Sequence, residues 1–248
     1  MSSSEITLPL KEGCNVIVKR GWLGKKKASD LLDRIREQVP FGEYRKIFFG
    51  KTVDVPRGIF AFGDQCIYTN DEDGDLVVGT GYIYSKDKYL VFSWNVRPSV
   101  LSDIIKIPRD CIVPVGMHFN SHIIPSNEDS WVGLMIKELM TEINEQDNLN
   151  FNSVLINEYR TGQDSISAHS DKEVVPPNNE VYGLSLGGTR TIHFISKTVK
   201  GERHKVDLHH GDLMIMSGDT QEFYTHEIRK QIRNQELRIS LTFRNLPV

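Results

Sequence analysis

The feature of this chain that most restricts its fold is a series of short strand-like segments between residues 153 and 243. Each segment is rich in Val, Ile, Leu or aromatic residues, and the turns between them contain Gly, Asn or Asp. The six segments read SVLINEY, VYGLSLGG, RTIHFIS, HKVDLHHG, DLMIMS and LRISLTF. Closely spaced short strands are typical of β-sandwiches and jelly rolls. This region therefore predicts a β-rich core.

Two amphipathic helices are predicted before this series of strands. The apolar residues at helical spacing are Leu31, Leu32, Ile35 and Val39 in KASDLLDRIREQVPF, and Trp131, Leu134, Met135, Leu139 and Ile143 in SWVGLMIKELMTEIN. An apolar stripe on a helix needs a partner surface, and the sheet supplies one. We therefore expect an α+β fold, with a double-stranded β-helix (jelly roll) core and N-terminal helices packed on the sheet.

Composition excludes several classes of protein. The 248 residues are 39% hydrophobic and 25% charged, with a net charge of −3, so a generic polyanion-binding protein is not expected. No apolar run is long enough to span a bilayer, and the polar N-terminus lacks the apolar core of a signal peptide. The three cysteines form no CxxC motif and cannot all pair. We expect an intracellular, monomeric single domain (residues 1–248) without membrane partners, nuclear in a eukaryote and cytoplasmic otherwise.

Two pairs of residues have the spacing of a small metal site. AHSDKE contains His169 and Asp171, and LHHGDL contains His210 and Asp212; chance alone gives a chain of this composition about one such pair. Alternate residues of a strand point to the same side, so either pair can face one cavity. EFYTHEI offers His226, after a strand and turn, as a third ligand to the first pair. Two histidines and one carboxylate form the facial triad of non-haem Fe(II) oxygenases.

The C-terminal segment RISLTFR contains cations at strand spacing. Arg238, Ser240 and Arg244 fall on one face of a predicted strand that also carries a continuous apolar face. A buried arginine needs an anion, and its planar guanidinium binds a carboxylate through two parallel hydrogen bonds. A dicarboxylate co-substrate that chelates iron would provide that anion.

Taken together, these motifs resemble the AlkB family of Fe(II)/2-oxoglutarate dioxygenases, which remove alkyl groups from nucleobases, and most closely its duplex-DNA-repairing animal members. The resemblance runs from about Ile47 to the C-terminus and consists of five ordered motifs: FFGKTVDVPRGIFAFGD, GYIYS, VLINEYRTGQDSISAHSDKE, SLGGTRTIHF and RISLTFR. Their order and spacing make the match specific. It implies a nucleotide-recognition segment with a hairpin at about residues 45–90 and a catalytic jelly-roll core at about residues 150–248.

The resemblance also implies a role for each matching residue. Fe(II) is expected to bind His169, Asp171 and His226. The residues expected to bind 2-oxoglutarate are Asn157, Tyr159, Arg238, Ser240 (where the family usually has asparagine) and Arg244. Those expected to bind the flipped base or fill its place in the duplex are Phe49, Arg57, Tyr82, Tyr84, Glu173 and Arg190. Expected contacts with the DNA backbone are Lys51, Lys197, Lys200, Arg203 and Lys205.

The expected reaction is oxidative demethylation of 1-methyladenine and 3-methylcytosine in DNA, using Fe(II), 2-oxoglutarate and O2, which is a direct reversal of DNA damage. One alternative is an RNA demethylase of the same family, and another is a non-catalytic nucleic-acid-binding protein with a vestigial iron site. The FFGK…VPR segment favours duplex DNA, because an apolar side chain there can fill the gap left by a flipped base. The intact triad and both arginines favour an enzyme.

Overall fold

The computed structural model of the chain describes residues 4–39, 41, 45–48, 51–64, 68–70, 76–78, 82–84, 87–89, 94, 96–100, 105–106, 111–112, 119–123, 131–171 and 179–246. Within these ranges the helices are α1 (Lys25–Gln38), α2 (Val132–Asp147) and the single turn α3 (Thr220–Phe223). The strands, in chain order, are β1 (Glu5–Thr7), β2 (Cys14–Lys19), β3 (Arg45–Phe48), β4 (Lys51–Asp54), β5 (Gly58–Gly63), β6 (Tyr68–Asn70), β7 (Leu76–Val78), β8 (Tyr82–Tyr84), β9 (Asp87–Tyr89), β10 (Val96–Val100), β11 (Ile105–Lys106), β12 (Cys111–Ile112), β13 (Phe119–Ile123), β14 (Ser153–Tyr159), β15 (Ile166–His169), β16 (Val181–Gly187), β17 (Arg190–Ser196), β18 (Arg203–Leu208), β19 (Leu213–Gly218), β20 (Tyr224–Ile228) and β21 (Arg238–Arg244).

Two antiparallel sheets form the body of the protein. The major sheet has seven strands in the order β1-β2-β19-β16-β21-β14-β5, and the minor sheet has four in the order β15-β20-β17-β18. Apolar residues of both sheets pack together, among them Val16 and Met216 of the major sheet and Phe194 and Ile228 of the minor sheet. This mostly antiparallel arrangement of two packed sheets is consistent with a jelly roll.

The major sheet is covered on its other face by α1 and α2. Ile239, Leu241 and Phe243 of β21 belong to the hydrophobic cluster that contains both helices. Because side chains alternate along a strand, Arg238 and Arg244 point to the opposite face, between the sheets. The period-two pattern of β21 therefore directs its apolar residues to the helices and its polar residues to the interior of the sandwich.

The remaining strands form small sheets between residues 45 and 123. They are β3 with β4, β6 with β7 and β11, β8 with β9 and β12, and β10 with β13. β3 and β4 pair antiparallel, with Phe48 opposite Lys51. Phe49, which follows β3 in the sequence, lies outside the described residues.

Within the described ranges, no helix has the length and apolar character needed to cross a lipid bilayer.

Candidate metal and co-substrate site

Three side chains with metal-binding atoms meet between the two sheets. His169 is the last residue of β15, and it lies directly opposite His226 of the neighbouring strand β20. Asp171 follows two residues later and is 1% exposed. The candidate ligand atoms of the three residues all lie within 4.8 Å of one another. His226 comes after β19 and the single turn α3, as expected, and it lies inside the short strand β20.

Both imidazoles are uncharged at neutral pH, which is the form that binds a metal. Burial lowers the pKa of His169. Burial and the proximity of His169 together lower the pKa of His226 to about 3. The Nδ1 of His169 lies 2.8 Å from the carbonyl oxygen of Ser167. A neutral imidazole that donates this hydrogen bond from Nδ1 presents the lone pair of Nε2 to the centre of the site.

Asp171 remains ionised although it is fully buried. Burial raises the pKa of its carboxyl group, but the guanidinium of Arg244 and the two histidines outweigh this, and the net pKa is below its usual value. Arg244 donates from Nη2 to Asp171 Oδ1 at 2.7 Å. Asp171 Oδ2 lies 3.6 Å from His226 Nε2. This Oδ2 atom has no hydrogen-bond partner among the described residues.

This arrangement fits a divalent cation. A buried carboxylate oxygen without a partner is energetically costly, and a bound cation removes that cost. Two imidazole nitrogens and one carboxylate oxygen are the donor set of non-haem Fe(II) sites, which leave other coordination positions open. The residues that would hold the metal are His169, Asp171 and His226, as predicted from the sequence.

A cavity between the sheets extends from this cluster and contains about 550 Å³ of empty space, including the part open to solvent. Its polar lining contains all five residues predicted to bind 2-oxoglutarate. The polar lining residues are Asn157, Tyr159, His169, Asp171, His226, Arg238, Ser240, Thr242 and Arg244. The remaining walls are mostly aliphatic side chains and methionines.

Arg238 presents an unsatisfied donor to this cavity. Its side chain is 2% exposed, and its Nε donates to the hydroxyl of Ser185 at 2.9 Å. Nη1 has no acceptor among the described residues. Burial lowers the pKa of Arg238 to about 10, so the guanidinium is still charged at neutral pH. A carboxylate in the cavity would supply the missing acceptor and the countercharge.

The two arginines of β21 are therefore not equivalent. Arg244 pairs with Asp171 at the metal end, whereas Arg238 has an open donor elsewhere in the cavity. Sequence reasoning assigned both to 2-oxoglutarate and missed Ser185, the hydroxyl that orients Arg238. The signal was present, since Ser185 interrupts the apolar segment VYGLSLGG.

Among the predicted base-contacting residues whose side chains the structure describes, Arg57 contacts a residue of this cavity's lining. It is buried, and its Nε donates to the side-chain oxygen of Asn157 at 2.8 Å. Of Tyr82, Tyr84 and Lys51 the structure describes only the strand backbone, and Glu173 lies outside the described residues, as Phe49 does. Their predicted roles stay predictions.

Arg190 is buried and donates hydrogen bonds to backbone carbonyl oxygens. Its side chain is completely buried, and its guanidinium donates to the carbonyl oxygens of Thr161, Asp164 and Arg229 at 3.2, 2.8 and 2.8 Å. These carbonyls belong to the loop before β15 and the loop after β20. Arg190 thus ties together the loops that flank the two histidine-bearing strands, and nothing in its contacts supports the predicted role at the substrate.

The basic hairpin between β17 and β18 lies on the surface. Lys197, Lys200, Arg203 and Lys205 are all exposed there. Lys197 Nζ also donates to the backbone carbonyl of Gln221 at 2.8 Å. Their predicted contacts with the DNA backbone stay a prediction.

The second pair, His210 and Asp212, is structural. Asp212 is buried, accepts hydrogen bonds from the backbone of Gly21 and His209 at 2.8 Å each, and pairs with Arg20. His210 Nδ1 accepts from the backbone N–H of Gly187 at 2.9 Å. Because the polar atoms of this turn are used within the fold, the pair has no group directed at a ligand.

Comparisons with known proteins agree with this geometry. A family model described as the 2OG-Fe(II) oxygenase superfamily matches residues 15–244, and the chain belongs to that superfamily. Its members use Fe(II), 2-oxoglutarate and O2. The AlkB resemblance that the sequence motifs indicated is confirmed by the curated relatives.

The relatives include the alpha-ketoglutarate-dependent dioxygenase alkB homolog 3 of Rattus norvegicus, which is 35% identical over 141 residues, covering 53% of this chain and 45% of the relative. The DNA oxidative demethylase ALKBH2 of Mus musculus is 29% identical over 126 residues, covering 47% of this chain and 52% of the relative. The chain thus matches about half the length of these relatives. The solved structure of OsALKBH1 has a TM-score of 0.50 and 17% identity, covering 97% of this chain and 100% of that one, which shows a similar fold.

Proposed function

We propose that this protein is an Fe(II)/2-oxoglutarate-dependent dioxygenase that demethylates 1-methyladenine and 3-methylcytosine in DNA. The observation that carries the proposal is the unpartnered Asp171 Oδ2, 3.6 Å from His226 Nε2, in a cavity that also contains an unpartnered nitrogen of Arg238. A cation and a carboxylate are the two ligands that these atoms lack. The names of two relatives, a dioxygenase and a DNA oxidative demethylase, support the same reaction class.

Each cavity residue has a role in this reaction. Bound Fe(II), with 2-oxoglutarate and O2, would supply the chemistry that hydroxylates the N-methyl group, which then leaves as formaldehyde while 2-oxoglutarate becomes succinate and CO2. Arg238 would bind a carboxylate of 2-oxoglutarate, oriented by Ser185 and by the Tyr159 ring, whose centre is 5.2 Å from the guanidinium carbon. Arg244 keeps Asp171 ionised and therefore able to bind the metal. The apolar walls limit the access of water to the reacting groups.

Recognition of nucleic acid is supported by two features. The exposed cations of the β17–β18 hairpin are suited to phosphates, which position a protein on a nucleic acid without reading its sequence. Arg57 lies within the segment that resembles the base-recognition region of AlkB proteins, and it contacts Asn157 in the cavity. One residue of the predicted base-binding segment thus contacts the proposed site of 2-oxoglutarate.

The proposal is tested by measuring succinate and formaldehyde release with Fe(II), 2-oxoglutarate and oligonucleotides that carry 1-methyladenine. Matched double-stranded DNA, single-stranded DNA and RNA should be compared. We expect one formaldehyde for each demethylated base and faster turnover on DNA. Faster turnover on RNA would make the protein an RNA demethylase, and binding without formaldehyde release would make it a non-catalytic nucleic-acid-binding protein.

Phe49 provides a test of duplex recognition. An apolar ring inserted into the gap left by a flipped base recovers part of the few kcal/mol that unstacking costs, and a single strand offers no comparable gap. We therefore expect Phe49→Ala to reduce turnover on methylated double-stranded DNA much more than on the same lesion in single-stranded DNA.

The measurement is turnover on both substrates, together with the melting temperature of the variant. A Phe49 side chain in the protein core would instead give equal losses on both substrates and a lower melting temperature, because a large-to-small core substitution costs about 3–5 kcal/mol. That result would show that Phe49 does not fill the gap left by a flipped base, and it would remove the main support for a duplex substrate.

A further inference from the structure

The backbone of Asp171, which provides the carboxylate of the candidate metal site, is hydrogen-bonded to a side chain from another element. The pairing of β15 with β20 ends at His169 and His226, and Asp171 lies two residues beyond that last pair. Its backbone N–H donates to the side-chain carbonyl oxygen of Gln221 at 2.9 Å. The hydroxyl of Ser170 donates to the carbonyl of Tyr224 at 2.9 Å. Hydrogen bonds that involve side chains therefore hold residues 170–171 in place where the pairing of β15 with β20 ends.

Gln221 is itself fixed to the major sheet. It lies on α3, whose first residue, Thr220, is buried. The Thr220 hydroxyl accepts from the backbone N–H of Asn15 at 2.9 Å and donates to the carbonyl of Ser217 at 2.6 Å, which joins α3 to β2 and β19. The Gln221 amide nitrogen lies 3.6 Å from the sulfur of Met216. With its nitrogen on that side, the amide directs its oxygen at Asp171.

Asp171 is therefore held at two points by elements outside its own strand. Arg244 of the major sheet binds Oδ1 of its carboxylate, and Gln221 of α3 binds its backbone. Together these contacts leave Oδ2 directed at His226 and without a hydrogen-bond partner in the described residues. A metal site needs its ligands held in a fixed geometry before binding, since otherwise the metal must order them.

We propose that Gln221 is a positioning residue of the metal centre: its side-chain carbonyl fixes the backbone of Asp171 and thereby sets the affinity for the metal. The inference rests on the proposed function, because it takes His169, Asp171 and His226 as the metal ligands. Gln221 touches neither metal nor substrate. Its effect is transmitted through the position of the Asp171 carboxylate relative to the two histidines.

The test measures Mn(II) binding by isothermal titration calorimetry, without substrate or turnover. Gln221→Met keeps the length of the side chain and removes the carbonyl acceptor, and it should weaken Mn(II) binding about 10- to 100-fold, the usual effect of losing a partner that orients a metal ligand. Gln221→Glu keeps an acceptor oxygen and should retain most of the wild-type affinity. Gln235→Met, the same substitution at an exposed glutamine, should bind Mn(II) as the wild type does.

Two further measurements separate positioning from other effects. Exchange of the Asp171 amide proton, followed by NMR, should be slow in the wild type and in Gln221→Glu and fast in Gln221→Met. The metal-free melting temperature shows whether Gln221→Met unfolds the protein. If that variant is unstable, the glutamate variant decides: restored affinity with a protected amide supports the proposal, and a loss as large as in the methionine variant overturns it.

Wild-type affinity in Gln221→Met would overturn the proposal while leaving the metal site intact. Failure of the metal site on which the proposed function depends gives a different result: the wild type would not bind Mn(II), or His226→Ala would bind it equally well.

Discussion

Replacing Asp171 with alanine is expected to abolish turnover and to weaken Mn(II) binding by more than about 100-fold, because even residues that only orient metal ligands contribute about 10–100-fold. Asp171 provides the single carboxylate of the candidate triad, and its Oδ2 lies 3.6 Å from His226 Nε2. Without it, two neutral imidazoles remain beside the positive charge of Arg244, which repels a cation. The measurements are Mn(II) titration calorimetry and formaldehyde release.

Two variants separate loss of the ligand from loss of structure. Asp171→Asn keeps an acceptor oxygen for Arg244, whose Nη2 is 2.7 Å from Oδ1, and removes only the negative charge. It should also lose Mn(II) binding while retaining more stability than the alanine variant. Near wild-type affinity in a stably folded Asp171→Ala variant would show that the metal is bound elsewhere.

Asp212→Ala makes the same substitution in the second His-x-Asp pair. Asp212 is buried against Arg20 and accepts two backbone hydrogen bonds, and breaking a buried pair from one side costs on the order of 3 kcal/mol. We expect a lower free energy of unfolding in urea and unchanged affinity for Mn(II). If this variant lost the metal and Asp171→Ala kept it, the site assignment would be wrong.

The comparison of these two pairs shows where sequence reasoning reaches its limit. His169-Ser170-Asp171 and His210-Gly211-Asp212 have the same local pattern. They differ in what the fold places beside them: His226 pairs across from His169, whereas Arg20 meets Asp212 from 192 residues away in the sequence. Strand pairing and long-range contacts decide which pair can bind a metal, and neither is encoded in the local spacing. The order of the surrounding motifs favoured His169 and Asp171, which the structure places beside His226.

Regular strands were predictable because their pattern is local. The segments SVLINEY and RTIHFIS coincide with β14 and β17, and alternation along β21 correctly placed Arg238, Ser240 and Arg244 on one face. The short strands β15 and β20, which carry the histidines, were not among the six predicted segments. Their polar and ligand residues interrupt the apolar pattern, so they form through pairing with each other and with β17.

The face of α2 was predicted only in part. The structure buries Val132, Gly133, Ile136, Leu139, Met140 and Ile143, whereas Leu134 is only partly buried against the core. The start of this helix, WVGLMI, is apolar on every side, so periodicity cannot determine which face meets the sheet. The packing of α2 against the major sheet makes that choice.

Arg190 illustrates the same limit for a charged residue in a strand. Its position in SLGGTRTIHF resembles a substrate-side arginine, but three backbone carbonyls from two loops accept hydrogen bonds from its Nη1 and Nη2, and its Nε has no partner among the described residues. Sequence shows that a buried cation needs acceptors and cannot show which carbonyls supply them. Arg238 also has a nitrogen without an acceptor among the described residues, but unlike Arg190 it lines the cavity beside the metal cluster, and that position makes it the stronger candidate for ligand binding.

Replacing Arg238 with alanine is therefore expected to raise the concentration of 2-oxoglutarate needed for half-maximal turnover by on the order of 100-fold, since truncating one partner of a buried charged pair costs about 2–5 kcal/mol. Arg238→Lys should recover only part of this, because an ammonium cannot make two parallel hydrogen bonds to a carboxylate. Mn(II) affinity should not change, as Arg238 is not a candidate ligand. Arg203→Ala, at an exposed arginine of the basic hairpin, should leave the 2-oxoglutarate requirement unchanged.

Binding of 2-oxoglutarate by Arg238 can also be measured without turnover, through the melting temperature. A ligand that binds only the folded protein stabilises it by an amount that grows with the logarithm of the ratio of ligand concentration to dissociation constant. At the same concentration, 2-oxoglutarate with Mn(II) should therefore raise the melting temperature of the wild type more than that of Arg238→Ala. Without 2-oxoglutarate the alanine variant should lose little stability, because the charge it removes is buried with one nitrogen unsatisfied among the described residues. Equal stabilisation of both proteins, with an unchanged 2-oxoglutarate requirement, would exclude Arg238 as the carboxylate-binding residue and would leave the cavity without its proposed co-substrate.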